Sequence, residues 1–515
     1  MSDTAAPVPD PRRCAELAAD LDAADLRSEP LRRLWGEEAD DALARGLREP
    51  ILRAVADDDG VLATLGRLFV LGMPQPRARV AQALPRLGVD GLVALGLARL
   101  SSDDDGDDAM PGDDAVSEGD QVVPAALLRP QSFVDADGID EWWIASDLDE
   151  VALDGALPAD HVLGVGGASR TLAEIVVPIQ VDRALDLGTG CGIQALLISR
   201  RAGSVVATDI STRALAYAEL NARLNGVSNI EFRQGSMFEP VEGEAFDLIV
   251  SNPPFVITPR TAGVPAYEYR DGGLIGDALV EQFLRTASDF LTPGGIAQLL
   301  GNWESRAGVT GLARLQAWVP ADLDLWVIER EQLSPLAYAE LWIRDGGTTP
   351  RDRAFTPLLT AWLDDFAARE VSSIGFGYVL LRRGDGTPLR RTERLAQQVS
   401  GVGAALGAGI LAHDLLAHGL PSTLFTASDV TEARHLMPGN DDPSVIELRQ
   451  GGGFRRTVNV DPALAAFVGA CDGELTVGQI AAALSDLFEV PFADLWADLE
   501  PRLRALVFDG FLAAE

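Results

Sequence analysis

The chain contains no lysine, so all 42 of its basic residues are arginine. They stand against 78 acidic residues and leave a formal net charge of −36. A chain this acidic has no overall electrostatic field that attracts nucleic acid, although a local patch of arginines could still bind one. The charge therefore argues against general polyanion binding and leaves a site-specific contact open.

Cysteines and long apolar segments are also scarce. Three cysteines lie far apart in the sequence and match no metal-binding or disulfide spacing, which is typical of a reducing compartment. The N-terminus lacks the apolar stretch of a secretory signal. The most apolar run, residues 401–419, is rich in glycine and alanine and carries two histidines and an aspartate, so it does not fit a membrane span. These absences predict a soluble cytoplasmic protein with no metal site and no membrane contact.

The length of 515 residues exceeds what one hydrophobic core usually supports, so several domains are expected. Apolar residues recur at helical spacing near the N-terminus, and strands alternate with helices in the middle of the chain, which is the pattern of a parallel α/β sheet. The sequence predicts five segments: a helical or winged-helix-like domain at 1–125 with an acidic loop at 101–120, a strand-rich connector at 126–160, an α/β domain at 161–350, a mixed α/β extension at 351–450 and a small helical or winged domain at 451–515.

A glycine-rich turn follows the first predicted strand of the α/β domain. The segment ALDLGTGCGIQALLIS places Gly188, Gly190 and Gly192 between a strand and a helix. Small residues let the backbone approach a ligand closely, and the following helix presents free N–H groups. The spacing D-x-G-x-G-x-G departs from the G-x-G-x-x-G fingerprint of dinucleotide sites, and a glycine turn alone also fits a tight structural turn.

The second predicted strand, VVATDI, ends in Asp209, about 20 residues beyond the glycine turn. A carboxylate at this place can accept hydrogen bonds from both hydroxyls of a ribose. Alternatively, Asp209 caps the helix that follows. Together with the glycine turn, Asp209 indicates a cofactor that contains a nucleoside but no pyrophosphate.

The fourth predicted strand stops abruptly within FDLIVSNPPFV, Phe246 to Val256. Proline cannot continue a central strand, because it has no N–H and its φ is fixed. Ligands of doubly wound sheets bind beyond the carboxyl ends of the strands, so this segment should lie near the glycine turn and Asp209. The side-chain carbonyl of Asn252 and the backbone carbonyl of Pro253 can together accept both hydrogens of a planar –NH2 group. Phe255 can stack on the plane that carries that nitrogen.

In this order, LDLGTGCG, ATDIS and SNPPF resemble the class I S-adenosylmethionine-dependent methyltransferases that carry a [DNSH]-PP-[YFW] motif and methylate nitrogen. The segments QGSMFEPVEGEAFDLIVSNPPF and YEYRDGGLIGDALVEQFLRTASDFLTPGG resemble, more narrowly, the HemK-like glutamine-N5 methyltransferases of release factors. The resemblance implies a doubly wound, seven-stranded, Rossmann-like α/β domain. The flanking parts are expected to be an N-terminal helical or winged-helix-like domain and a small C-terminal α+β or helical appendage.

The resemblance also implies S-adenosylmethionine as the cofactor and gives roles to particular residues. An acid usually stands in the family at the position of Ser236, and tyrosine at that of Phe255. The implied cofactor-binding residues are Asp186, Gly188, Thr189, Gly190, Gly192, Asp209, Ile210, Ser236 and Met237, and the implied catalytic residues are Asn252, Pro253, Pro254 and Phe255.

Two further segments contain candidate substrate or lid residues. The Gly/Ser-rich turn at 161–177 leads into an apolar helix and is either a lid over the cofactor, with Arg170 and Thr171 in contact, or a plain connector. After the fifth predicted strand, Asn302 and Trp303 are candidates for the wall of the acceptor pocket, with Trp303 alternatively a core residue.

The leading functional prediction is methyl transfer to a planar amine held by NPPF, and a peptidyl glutamine is the favoured acceptor. The alternative acceptor is the exocyclic amine of an adenine or guanine in rRNA, tRNA or DNA, which would have to be unpaired or extruded to reach such a pocket. A third possibility is a non-catalytic scaffold that retains the cofactor site. The expected partner is accordingly a protein, such as a translation protein, or a nucleic acid.

Overall fold

The structure is a computed structural model that describes residues 5–101, 121–135, 138–153, 157–265, 267, 269–395, 401–439 and 441–514. The acidic loop predicted at 101–120 lies outside the described residues except for Ser101.

The N-terminal region is helical, as predicted, and ends in a small antiparallel sheet. Its helices bury one apolar side each in a common core that contains Leu17, Leu21 and Phe69. A hairpin of two strands, Leu127–Asp135 and Gly138–Ser146, and a short helix then lead to the central region. The elements are α1 (Pro11–Ala23), α2 (Ser28–Trp35), α3 (Glu37–Leu43), α4 (Glu49–Ala54), α5 (Val61–Leu65), β1 (Gln75–Pro76), α6 (Arg77–Ala83), α7 (Gly88–Ala94), β2 (Ala98–Leu100), β3 (Gln121–Pro124), β4 (Leu127–Asp135), β5 (Gly138–Ser146) and α8 (Glu150–Leu153), with the small sheet in the order β1-β3-β2.

The central region is a doubly wound α/β unit built on one large sheet. In chain order its elements are α9 (Gly167–Ile175), β6 (Val181–Leu187), α10 (Ile193–Ser199), β7 (Ala202–Asp209), α11 (Thr212–Leu224), β8 (Ile230–Gln234), β9 (Phe246–Ser251), α12 (Ala278–Thr286), β10 (Leu291–Arg306), α13 (Gly311–Trp318), β11 (Asp324–Leu333), α14 (Pro335–Asp345), α15 (Phe355–Ala368), β12 (Val371–Arg382) and β13 (Arg390–Arg394). The sheet order is β13-β11-β12-β10-β9-β6-β7-β8. Strands β8, β7, β6, β9 and β10 run parallel, and β12 is antiparallel to both of its neighbours.

Helices cover both faces of this sheet, so its inner strands are apolar on both sides. Leu185 and Ile249 lie in the core on one face, whereas Ala184, Leu248 and Val250 lie in the core on the other. Successive side chains of a strand point to opposite faces, and both faces are buried here, which explains why these strands read as continuous apolar runs.

The described part of the sheet contains an eighth strand beyond the seven that were predicted. The extra strand, β13, lies at the edge and pairs in parallel with β11. Because β12 and β13 follow residue 350, the sheet does not end where the sequence placed the boundary of the α/β domain.

The C-terminal region begins with a helix within the apolar run 401–419 and continues as a small α+β unit. Its elements are α16 (Val402–Ala417), β14 (Phe425–Thr426), β15 (Val430–Leu436), β16 (Pro443–Gln450), β17 (Thr457–Val460), α17 (Pro462–Gly469), α18 (Val477–Phe488), α19 (Phe492–Phe508) and β18 (Leu512–Ala513). Strands β15, β16 and β17 form one antiparallel sheet, so the expected boundary at residue 450 also falls within a sheet. Across the part of the chain that the structure describes, no helix has the length and apolarity needed to cross a membrane.

Candidate functional site

The glycine turn, Asp209 and NPPF meet at the carboxyl ends of β6, β7 and β9, as the sequence predicted. The backbone N–H groups of Gly188 and Thr189 both donate to the carbonyl of Thr208, at 2.9 Å each. The N–H of Gly190 donates to Oδ2 of Asp209 at 2.9 Å. These bonds fold the glycine turn over the end of β7 and hold it against the Asp209 side chain.

The glycines of this turn are needed for two different reasons. Gly188, Gly190 and Gly192 have φ values of 77°, 55° and 88°, in the left-handed region that favours glycine. A Cβ at Gly192 would lie 2.9 Å from Cα of Ala218, so this glycine lets α11 pack closely. A Cβ at Gly188 or Gly190 would meet no atom within 4 Å. The turn therefore faces open space at Gly188 and Gly190, where a ligand can approach the backbone.

Asp186 is fully buried beneath the turn. Its Oδ2 accepts hydrogen bonds from Oγ1 of Thr189 at 2.6 Å and from the N–H of Ala195 at 2.9 Å. Its Oδ1 is buried and has no hydrogen-bond partner among the described residues. Burial disfavours the ionised form and raises the pKa of Asp186 to about 7.

Asp209 uses both carboxylate oxygens in backbone contacts. Oδ1 accepts from the N–H of Ser211 at 2.9 Å, while Oδ2 binds Gly190. Burial raises the pKa of Asp209, although the backbone N–H donors oppose this effect. The residue that caps α11 is Ser211, whose side chain accepts from the N–H of Ala214, so the alternative role of Asp209 as helix cap is wrong. Ile210 is 64% exposed beside the carboxylate and offers an apolar surface.

Ser236 and Met237 follow β8 and lie next to the same strand ends. The preceding Gly235 donates its N–H to the carbonyl of Asp209 at 3.0 Å, which brings this loop to the end of β7. Ser236 is exposed, whereas Met237 is half-buried with a left-handed φ of 49°.

NPPF lies at the end of β9 and is held from several sides. Ser251 donates its hydroxyl to the carbonyl of Leu187 at 2.8 Å, which joins the ends of β9 and β6. Nδ2 of Asn252 lies 3.4 Å from Oγ of Ser169, and Oδ1 of Asn252 is buried without a hydrogen-bond partner among the described residues. Pro253 is buried and Pro254 half-buried.

The ring of Phe255 packs against the ring of Phe376 on β12, with centroids 5.5 Å apart. Its backbone forms an antiparallel bridge with Asp271, and the next N–H, of Val256, donates to the carbonyl of Arg270 at 2.8 Å. A salt bridge from Arg260 to the buried carboxylate of Asp271 fixes this returning loop. Phe255 is therefore held in place from both its ring and its backbone.

Helix α9, the predicted lid, is anchored at both ends. Gln298 donates to the carbonyl of Ile175 and accepts from the N–H of Val177, at 2.7 Å each. At the other end, Nε2 of Gln194 donates to the carbonyl of Ser169 at 2.7 Å. The exposed Arg170 binds Gln131 of β4 at 2.5 Å, and Thr171 beside it is half-buried. Ser169, which sequence reasoning did not single out, is the α9 residue that contacts NPPF.

Asn302 and Trp303 do not line the site together. Trp303 is fully buried in the core and donates Nε1 to Glu329 at 2.9 Å, so its predicted place in the pocket wall is wrong. Asn302 is also buried, and its Nδ2 donates to Oη of Tyr338 at 2.5 Å. The same Oη accepts from the N–H of Ile257 at 3.0 Å, so Asn302 supports the chain just after NPPF from behind.

Within the residues that the structure describes, no group of three or more His, Cys, Asp or Glu side chains could hold a metal ion.

Comparison with known proteins places this site in a family. Residues 164–310 match the family model "Methyltransferase small domain", and residues 23–109 match a domain of unknown function, DUF7059. The release factor glutamine methyltransferase of Xylella fastidiosa is 39% identical over 139 residues, which are 25% of this chain and 50% of that protein. The ribosomal protein uL3 glutamine methyltransferase of Bordetella pertussis is 36% identical over 132 residues, 24% of this chain and 44% of that protein.

A third relative is matched over a larger share of its length. It is a protein of Methanocaldococcus jannaschii named as a candidate N5-glutamine methyltransferase, 32% identical over 135 residues, 26% of this chain and 68% of that protein. By contrast, the chain spans about half the length of the two curated relatives above. The chain belongs to the HemK-like family of class I S-adenosylmethionine-dependent methyltransferases.

Proposed function

We propose that the chain is an S-adenosylmethionine-dependent N-methyltransferase that methylates the side-chain amide nitrogen of a glutamine in a protein. The observation that carries the proposal is Oδ1 of Asn252, a buried acceptor without a partner among the described residues, at the sheet edge that also holds the glycine turn. An unsatisfied buried acceptor costs about 1–3 kcal/mol, so its donor is expected to arrive with a ligand. The relatives' names support glutamine as the source of that donor.

The residues present fit the cofactor. Open space over Gly188 and Gly190 leaves room for its methionine and ribose part, and the unpartnered Oδ1 of Asp186 lies below the same turn. We assign Asp209 to the ribose hydroxyls, because each carboxylate oxygen has a second lone pair beyond its backbone contact. The exposed Ile210 is placed to cover the face of the base, with Thr189, Gly192, Ser236 and Met237 completing the wall. When bound, S-adenosylmethionine supplies an electrophilic methyl group.

The acceptor is oriented by NPPF. Oδ1 of Asn252 and the carbonyl of Pro253 accept the two hydrogens of the glutamine –NH2 group, while Pro254 keeps the turn rigid and Phe255 supports the amide plane. An amide nitrogen is a weak nucleophile because its lone pair is delocalised. As it forms the new N–C bond, its hydrogens become more positive, so both acceptors bind the transition state more tightly than the ground state. The new N–C bond would replace the S–CH3 bond of the cofactor, whose sulfur would keep the electron pair, and one of the two held protons would pass from the nitrogen to water. The remaining rate gain comes from in-line positioning.

We infer that the substrate is a protein of translation and that the enzyme works in the cytoplasm. Two relatives are named for a release factor and a ribosomal protein, which supports this class of substrate. The net charge of −36 also favours a basic protein over a nucleic acid as the partner.

Incubation with cofactor labelled at the methyl group tests the acceptor class. The purified chain is added to a lysate, and the labelled products are digested with protease or with nuclease. We expect protease-sensitive label and, by peptide mass spectrometry, one added methyl group on a glutamine. Label that survives protease and is lost to nuclease would identify a nucleobase acceptor, and cofactor binding in calorimetry without label on any product would identify a scaffold.

Asn252→Ala tests the role of NPPF. Loss of the acceptor oxygen should abolish methyl transfer, whereas the affinity for the cofactor, measured by calorimetry, should stay within about twofold because the glycine turn is untouched. Asn459→Ala, the same substitution at an exposed position of β17, is the matched control and should behave as wild type. Transfer that survives Asn252→Ala would show that the two-acceptor mechanism is incorrect.

A further inference from the structure

Three polar side chains connect the first helix of the cofactor site to NPPF. Gln194 lies in the first turn of α10, directly after the glycine turn, and is 3% exposed. Its Nε2 donates to the carbonyl of Ser169, in the first turn of α9, at 2.7 Å. The hydroxyl oxygen of Ser169 lies 3.4 Å from Nδ2 of Asn252. A continuous series of contacts therefore runs from the glycine turn to the amine-holding asparagine.

We propose that Ser169 and Gln194 are positioning residues that orient the side-chain amide of Asn252 for methyl transfer. The proposal rests on the function proposed above, because it concerns the acceptor oxygen of the same asparagine. Neither residue touches the reacting atoms, and both act through Asn252.

The need for orientation follows from the shape of an asparagine side chain. Its oxygen and nitrogen are nearly the same size, so a half-turn of the amide exchanges them at little steric cost. In the exchanged state, Nδ2 of Asn252 would face the –NH2 group of the acceptor. Both groups are hydrogen-bond donors, so no hydrogen bond could form between them. With Oγ of Ser169 accepting from Nδ2 at 3.4 Å, the buried Oδ1 of Asn252 is left without a protein donor among the described residues and can accept from the –NH2 group.

The position of Ser169 is itself fixed by its neighbours. Gln194 holds its carbonyl, and Gln298 ties the far end of α9 to β10 through two bonds of 2.7 Å. Oε1 of Gln194 is buried without a partner among the described residues. The hydrogen bond from Nε2 to the carbonyl of Ser169 is therefore the contact that sets the orientation of the Gln194 side-chain amide. Since α10 follows the glycine turn directly, displacement of Gln194 would move α9 and release the asparagine.

Ser169→Ala, with Ser169→Thr as the conservative variant, tests the orienting contact. A small misplacement of a reacting group lowers rates strongly, so we expect Ser169→Ala to reduce kcat roughly ten- to hundredfold, with the cofactor Kd and KM within about twofold. Ser169→Thr keeps the hydroxyl and should recover most of kcat. Glu174→Ala, an exposed change on the same helix, should match wild type. Wild-type kcat in Ser169→Ala, or equal loss in Ala and Thr variants, would overturn the proposal.

Gln194→Met tests the anchor by a measurement that does not depend on activity. Methionine has similar length but cannot donate to Ser169, so hydrogen exchange of the amides at 170–173, which bond to the carbonyls of the first turn of α9, should speed up at least about tenfold, while exchange at the Gln298 end stays unchanged. Unchanged exchange at 170–173 would overturn the anchoring step.

The two proposals fail in different ways. If wild type methylates a base, the glutamine assignment falls, and the Ser169 variants are assayed on that base with the same expectation. If wild type methylates glutamine and Ser169→Ala retains full kcat, only the positioning proposal falls. A wild-type chain that transfers no methyl group to any acceptor overturns both.

Discussion

At the scale of single residues, buried oxygens without partners lie at the carboxyl edge of the central sheet. Oδ1 of Asn252 and Oδ1 of Asp186 are both in this state among the described residues. The motifs in the sequence predicted both residues as site residues. The sequence does not show which side-chain oxygen of each residue has a hydrogen-bond partner and which has none. That depends on Thr189, Ala195 and Ser169, whose approach is set by the folding of three separate segments.

Asp186→Asn should change how stability depends on pH. The pKa of Asp186 rises from 3.8 to about 7 on folding, so between these values the folded state keeps a proton that the unfolded state releases. The wild-type free energy of unfolding therefore falls as pH rises through this window, by roughly 4 kcal/mol in total from this group. Asparagine has no such proton, so the variant should gain stability relative to wild type from about pH 4 to about pH 7, with no further gain above.

Denaturant unfolding of both proteins across this pH range measures the difference. Asp182→Asn, at an exposed position on the same strand, is the matched control and should show no growing difference from wild type. A constant offset between Asp186→Asn and wild type at all pH values would show that Asp186 is ionised in the folded protein throughout.

At the scale of elements, local patterns predicted which segments are strands and helices better than they predicted how those segments dock. The β4–β5 hairpin fits the predicted strand-rich connector, yet nothing in its own sequence shows what covers its edge. The structure shows that Asn225, the residue directly after α11, accepts from the N–H and donates to the carbonyl of Trp143, at 2.9 and 2.8 Å. Asn221 makes the same pair of bonds with Ala145, at 2.8 and 2.9 Å. Two amides one helical turn apart thus take the place of a neighbouring strand.

Asn221→Ala should detach this part of the hairpin. The N–H and carbonyl of Ala145 are buried and would both lose their partner, as would the carbonyl of Cys191, which also accepts from Asn221. Unsatisfied buried backbone groups cost about 1–3 kcal/mol each, so we expect a loss of at least about 2 kcal/mol in the free energy of unfolding. Thr212→Ala, exposed on the same helix, is the control. Wild-type stability, with no new proteolytic cleavage in 127–146, would show that the hairpin docks by apolar contacts alone.

At the scale of the whole molecule, the sequence boundaries failed where contacts join distant parts of the chain. After residue 350 no local motif predicts β12 or β13. Their place in the sheet is set by pairing with β10 and β11. The C-terminal unit then packs on one face of the sheet: Trp326 of β11 contacts Phe454 and Phe508, with ring centroids 5.7 and 5.4 Å apart. Such contacts leave no periodic signal in the sequence, whereas the glycine turn and NPPF are contiguous and could be read directly.

Glu393→Gln tests whether charge holds the C-terminal unit on the sheet. Glu393 of β13 accepts from Nη1 of Arg456 and Nε1 of Trp326, each at 2.6 Å, and its side chain is largely buried. Although burial opposes it, the bond from Arg456 lowers the pKa of Glu393 overall, so the pair is charged at neutral pH. Neutralising Glu393 leaves the buried Arg456 guanidinium with only its 3.4 Å ion pair to Asp509, which should lower the free energy of unfolding by up to about 3 kcal/mol. The double variant Glu393→Gln/Arg456→Met removes both charges and should recover much of this loss.

Glu447→Gln, in an exposed pair with Arg449, should have little effect on the same denaturant curve. If Glu393→Gln were as harmless as that control, the apolar contacts of Trp326 would be sufficient to hold the unit in place.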